Sequence, residues 1–171
     1  MRAPEYFGDV ILTTDKCVSN TPSTMFYQER DWTCAFACLR TLISGTGKRV
    51  PTENEWVRQC KLKPGPYYSN HIKALNILKG FDVIYGCDNM AEDLNTLIEK
   101  MDEGYYVMVE SLYSGGHWMV LCSYFPGETV DDHMMLVYDP YFNKVRLLPV
   151  VEFIGMWCDV KGVIHDYIAL R

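Results

Sequence analysis

The sequence predicts an α+β fold, with helices first and a largely antiparallel sheet after them. Between residues 34 and 101, apolar positions recur three and four apart, the period of helices with one buried face. Between residues 105 and 148 the apolar runs are shorter, YYVMVE, HWMVLCSYF and HMMLVY, and turn-forming stretches separate them. That is the pattern of strands joined in hairpins. The third observation is scale: 171 residues, 49% hydrophobic and 22% charged, fit one domain over 1–171 with a substantial core.

Taken in order, Val10–Thr14 is expected as a short strand and Ser19–Thr24, with Pro22, as a polar turn. A helix starts at Cys34, with Asp31 or Thr33 as its cap. Ala35, Ala37, Leu39 and Leu42 continue it, and Gly45-Thr46-Gly47 stops it near Ser44. Thr52 and Glu55 form a capping box for a helix over Glu53–Cys60, with Trp56 and Val57 facing inward. After the Pro64-Gly65-Pro66 turn, Ser69 caps a helix over Asn70–Lys79 with Ile72, Leu75 and Leu78 on one face; Gly80 ends it. Phe81–Tyr85 is a strand. Met90–Met101 is a helix whose stripe is Leu94, Leu97, Ile98 and Met101, and Tyr105–Glu110 is the next strand.

The loop Ser111–Gly116 then leads to His117 and a central strand. An acidic turn over 126–132 reverses the chain, and His133–Tyr138 returns antiparallel until Asp139-Pro140 ends it. Asn143 turns into a strand over Lys144–Leu148. Pro149 opens a short helix over Val150–Met156, and a terminal strand lies within Gly162–Leu170.

Composition narrows the function. The net charge of −6, with no run of Lys or Arg, argues against a nucleic-acid partner. The N-terminal residues lack the apolar run of a signal peptide, and no stretch approaches 18 apolar residues, so no membrane span is expected. The seven cysteines are odd in number and scattered, which points to a reducing, cytoplasmic setting with free thiols. There is no CxxC pair for a structural metal and no Gly-rich phosphate loop, so no cofactor is expected.

The chemistry concentrates in QERDWTCAFACLRT, residues 28–41. A thiol at a helix N-terminus meets free backbone N–H groups and the positive end of the helix dipole; both favour thiolate over thiol. Gln28, six residues upstream, places an amide donor beside the same point. Thiol hydrolysis also needs a base and a group to orient it. Among His71, His117, His133 and His165, the best base is His117, which follows two glycines and opens a strong strand. Asp139 is the best orienter, because antiparallel pairing brings the start of one arm beside the end of the other. His133 with Asp131 or Asp132 is a rival pair at the hairpin turn. His165 and Asp166 are neighbours on a strand and point to opposite faces. His71 reads as a surface or capping residue.

These residues resemble the papain-like cysteine peptidases of the bacteriocin double-glycine leader type, the C39 family. The resemblance lies in Gln28 six residues before Cys34, in Ala37-Cys38-Leu39, in Gly116-His117-Trp118-Met119-Val120-Leu121, and in Asp139-Pro140. It covers roughly residues 24–148. It implies a papain-like fold, N-terminal helices packed on an antiparallel sheet, and a cysteine peptidase or amidohydrolase acting on a peptide or protein, after a small residue such as glycine. Cys34 would then be the nucleophile, His117 the general base and later acid, and Asp139 its orienter. Gln28 and the Cys34 N–H would form the oxyanion hole, and a peptide groove would run beside Trp118 or Trp32.

One position departs from the family: Ala35 stands where glycine usually follows the nucleophile, and its methyl is expected to narrow the oxyanion site. Leader peptidases are usually fused to a transporter; no transporter partner is indicated here. The phrase Asp31-Trp32-Thr33-Cys34-Ala35-Phe36-Ala37-Cys38 also resembles guanylyl cyclase-like proteins, read as a shared fold, since no triphosphate cradle is evident. Two further readings remain, a catalytically silent peptide-binding or immunity module and an acyltransferase using the same triad.

Overall fold

The periodicities translate into helices that sandwich a sheet. The computed structural model describes residues 12, 14–61, 63–65, 67, 69–75, 78–86, 94–111, 116–157 and 166–171. Its elements are β1 (Val18–Ser19), α1 (Cys34–Gly45), α2 (Glu53–Cys60), α3 (Ser69–Ala74), β2 (Val83–Tyr85), α4 (Leu94–Asp102) and β3 (Tyr106–Ser111). They continue with β4 (His117–Phe125), β5 (Met134–Asp139), β6 (Lys144–Pro149), α5 (Val150–Trp157) and β7 (Tyr167–Leu170). A 3₁₀ turn over Val130–Asp132 reverses the chain between β4 and β5.

The sheet runs β2-β7-β3-β4-β5-β6 and every described pairing is antiparallel. β1 joins β4 at Tyr124 and Ser123, beyond the residues of β4 that β3 engages. Alternation along the strands divides the core in two. Met108, Trp118, Val120, Cys122, Tyr138, Ile168 and Leu170 face α1, with Trp56 of α2 and Ile72 of α3 in the same cluster. Val107, Val109, Met119, Leu121, Val137, Leu148 and Ala169 face α4 and α5. The N-terminal helices α1, α2 and α3 pack on one face of the sheet, as the sequence suggested, and α4 and α5 cover the other. The stripe Leu94, Leu97, Ile98 and Met101 is buried as its spacing requires.

Several boundaries differ. α3 ends at Ala74 rather than Lys79, and the chain goes on in turns in which Leu78 is nevertheless buried. Most of the expected Val10–Thr14 strand, the start of the Met90–Met101 helix and residues 162–165 lie outside the described residues. Leu12 and Thr14 are not in a strand, and the first described strand falls at Val18–Ser19, overlapping the expected polar turn only at Ser19. The capping box of α2 forms as read: Glu55 N–H donates to Thr52 Oγ1, and Thr52 N–H donates to Glu55 Oε2. α1 ends where Gly47 takes φ +73°. Gly45 serves a different purpose: a β-carbon there would lie 2.2 Å from the ring of Tyr106, whose hydroxyl donates to the Gly45 carbonyl. Among the described residues, no helix is long and apolar enough to cross a membrane.

Candidate active site

The loop before α1 is pinned from three sides. Arg30 pairs with the buried Glu53 of α2 at 2.7 Å, and the second Glu53 oxygen accepts the Glu29 N–H at 2.9 Å. Arg40 of α1 pairs with Glu29 at 3.0 Å and lies over the Phe26 ring. Gln28 N–H donates to the Pro140 carbonyl at 3.1 Å, tying the loop to the turn between β5 and β6. Thr33 occupies the N-cap position but does not cap. Its hydroxyl turns back to the Arg30 carbonyl and accepts the Arg30 N–H, so Thr33 does not take up an N–H at the start of α1. The expected cap by Thr33 or Asp31 is therefore corrected: the loop claims the hydroxyl, and the helix N-terminus stays open toward a cleft.

That cleft, about 740 Å³, is lined by Gln28, Asp31, Trp32, Cys34 and Gly65 on the α1 side. His117, Met119, Asp139, Tyr141, Phe142 and Arg146 line it on the sheet side, with Met156 of α5. His117 opens β4 and Asp139 closes β5, and His117 Nε2 lies 2.8 Å from Asp139 Oδ1. The same oxygen accepts the Tyr141 N–H at 2.9 Å, so the Asx turn natural to an Asp-Pro step also fixes the carboxylate that faces the ring. With Nε2 committed, Nδ1 is the nitrogen left for Cys34, which lines the same cleft.

Burial disfavours imidazolium, but hydrogen bonds to Asp139 and Cys34, and the charges of both, outweigh it and raise His117 to about 9. Burial likewise opposes ionisation of Asp139, yet His117 and the backbone N–H groups of Tyr141 and Phe142 hold its carboxyl below the ordinary range. Gln28 Nε2 donates to the Arg30 carbonyl at 3.0 Å, which leaves its second N–H uncommitted among the described residues.

Beneath the cleft lie two thiols that do not share its chemistry. Burial, reinforced by the charges of Cys34 and Asp139, raises Cys38 well above the ordinary thiol range, and burial pushes Cys122 up to about 12. Two expectations change. Trp118 is 1% exposed and donates its indole N–H to the Tyr67 carbonyl, so of the two tryptophans it is Trp32 that borders the cleft. The Ala35 methyl is buried in the core beside Phe36 and does not line the cleft, so it does not narrow it. His133 is buried at the far end of the β4–β5 pair, where its Nδ1 meets the Tyr124 hydroxyl. His71 lies on α3, with its ring edge-on to Tyr67, and His165 falls outside the described residues. Glu53, the buried clamp of the loop, escaped the sequence reading because an acidic residue in a first helical turn is ordinarily solvated.

The helices, the antiparallel sheet and the thiol-bearing helix over its end define a papain-like α+β fold. The solved structure of UfSP from C. elegans, a papain-like cysteine protease, shares it: TM-score 0.55 at 18% identity over 91% of this chain. The chain spans about a third of that protein's length, 34%. No protein-family model and no curated protein matches the sequence.

Proposed function

We propose that the chain is a cysteine peptidase or amidohydrolase acting on a peptide or protein substrate. The observation that carries this reading is Cys34, at the start of α1, in one cleft with an imidazole whose Nε2 is held 2.8 Å from Asp139. His117 Nδ1 takes the Cys34 thiol proton, and Sγ attacks the scissile carbonyl carbon. The oxyanion that forms accepts from the Cys34 N–H and the free N–H of Gln28. His117 Nδ1 protonates the departing amine, leaving an acyl-thioester on Cys34. Water then attacks that carbonyl, His117 takes up its proton, and the thiol is released. Asp139 keeps the ring oriented and compensates its charge. The C39-type reading adds a small residue such as glycine before the scissile bond, and rests on Gln28, Cys34, His117 and Asp139-Pro140. Free thiols at Cys17, Cys34, Cys38, Cys60 and Cys122 suit a reducing, cytoplasmic setting.

The silent-module reading loses its main support with the Ala35 methyl in the core. The test is intact mass after treatment with a chloromethylketone peptide ending in Gly-Gly. A single adduct absent from Cys34→Ala is expected, together with loss of peptide turnover in a folded Cys34→Ser. No adduct on folded protein, or full turnover in Cys34→Ser, overturns the reading. An added amine that appears in the product in place of water would assign acyl transfer.

A further inference from the structure

The cleft reaches past His117 to the edge of the sheet, because Arg146 of β6 is part of its lining. β6 is one end of the strand order, and no described strand pairs with its outer side. Its backbone phase follows from one bond: the Val150 N–H donates to the His133 carbonyl at 2.8 Å. The β5–β6 register runs unbroken from Asp139↔Lys144 to Met134↔Pro149. Antiparallel residues alternate between bonding inward and facing outward. Lys144, Arg146 and Leu148 therefore bond to β5, while Val145 and Leu147 turn their N–H and C=O groups outward. Pro149 also falls on an outward position, where a missing N–H costs the sheet nothing.

The side chains divide as well. Leu148 is buried on the α5 side, which puts Arg146 and Lys144 on that face. Val145 stands opposite Tyr138 on the α1 face, beyond the cover of α1. Val145 and Leu147 are 48% and 53% exposed, and Tyr141 and Phe142, at 58% and 60%, carry apolar surface from the strand into the cleft they line. The edge thus has an apolar face and a cationic one, in a chain of net charge −6. Arg146 has Glu152 at 3.9 Å, a long ion pair that a nearer carboxylate would displace.

We propose that β6 captures substrate by strand addition. An extended segment with alternating apolar and acidic residues pairs along 144–149, and the residues that follow it enter the cleft. Its apolar side chains cover Val145 and Leu147, and its carboxylates face Lys144 and Arg146. The word substrate rests on the peptidase reading; the binding step does not require the thiol.

The test is fluorescence polarisation on the full chain carrying Cys34→Ser. The probes are fluorescein-labelled heptapeptides of alternating valine and glutamate, or valine and lysine. The Val/Glu probe should bind about tenfold tighter than the Val/Lys probe, the combined effect of a few opposed charge pairs. Leu147→Pro, which removes an outward N–H and leaves the bonds to β5, should weaken Val/Glu binding about tenfold. Arg146→Glu should reverse the preference. If Leu147→Pro does not fold, methylating alternate amides of the probe removes the same bonds from the other side.

Equal binding of both probes, or indifference to the edge-blocking changes, overturns the proposal. So does a dimer that Leu147→Pro dissolves, since a second copy then occupies the edge. Iodoacetamide labelling of wild-type Cys34 separates the two readings. A reactive thiol without probe binding removes strand capture alone; probe binding without a reactive thiol removes the peptidase reading alone.

Discussion

At the residue scale, the imidazole of His117 stands in the cleft under opposed influences on its charge. Burial would keep it neutral; Asp139 and Cys34 together hold it protonated up to about 9. In a ¹H–¹⁵N titration one of the four histidines should therefore stay protonated far beyond the usual value near 6.5. Asp139→Asn should bring that midpoint down by more than one unit, because burial then meets a single partner. An unmoved midpoint would show that Asp139 does not govern the ring. The neighbouring thiols set a second expectation. At pH 6, iodoacetamide should modify Cys34 faster than Cys60, whose thiol burial raises, and should leave Cys38 and Cys122 untouched. Peptide mapping of the labelled sites checks it, and equal rates at Cys34 and Cys60 would count against an activated nucleophile.

At the scale of elements, α2 holds the loop that delivers Gln28. Glu53 is fully buried and accepts from the Arg30 guanidinium and the Glu29 N–H. Replacing one member of such a pair leaves the other without its charge partner, and Glu53→Gln should cost about 3 kcal/mol in urea unfolding. The capping box beside it was legible because Thr52 and Glu55 interact within one helical turn. Glu53 was not, because its partners lie more than twenty positions away in the chain. α1 makes a related point at its other end. Gly45 reads as a helix stop, but its lack of a side chain admits Tyr106 of β3. Gly45→Ala should destabilise by about 1–3 kcal/mol through overpacking, against the usual gain of an alanine in a helix.

At the scale of the molecule, the pH profile of stability sums groups spread across the fold. Burial, helped by the charge of Asp166, raises Glu110 to about 8. Unfolding releases its proton between about 4.5 and 8, so stability falls as pH climbs through that window. The contribution of His117 is complete below about 6.5 and is lost as pH rises through 9. Asp139 works oppositely: its stabilisation is present above the ordinary carboxylate range and is lost in acid. The melting temperature should thus peak in mild acid, and Glu110→Gln should flatten its decline between pH 4.5 and 8 in scanning calorimetry. The hairpin of β4 and β5 could be read in advance because strong alternating runs flank a short turn. α3 was over-extended because Leu78 is buried from a turn and so mimics helical spacing. Trp118 looked like a groove residue because alternation assigns a face to a side chain without saying what covers that face.

β7 comes last in the chain yet sits inside the sheet, between β2 and β3. Ile168 and Leu170 belong to the same packed cluster as Phe36 and Leu39 of the helix that carries Cys34. On the ribosome, that helix lacks part of its floor until residues 167–170 emerge. The setting of the thiol therefore depends on a strand far from it in sequence, so α1 is fully packed only once β7 has joined the sheet.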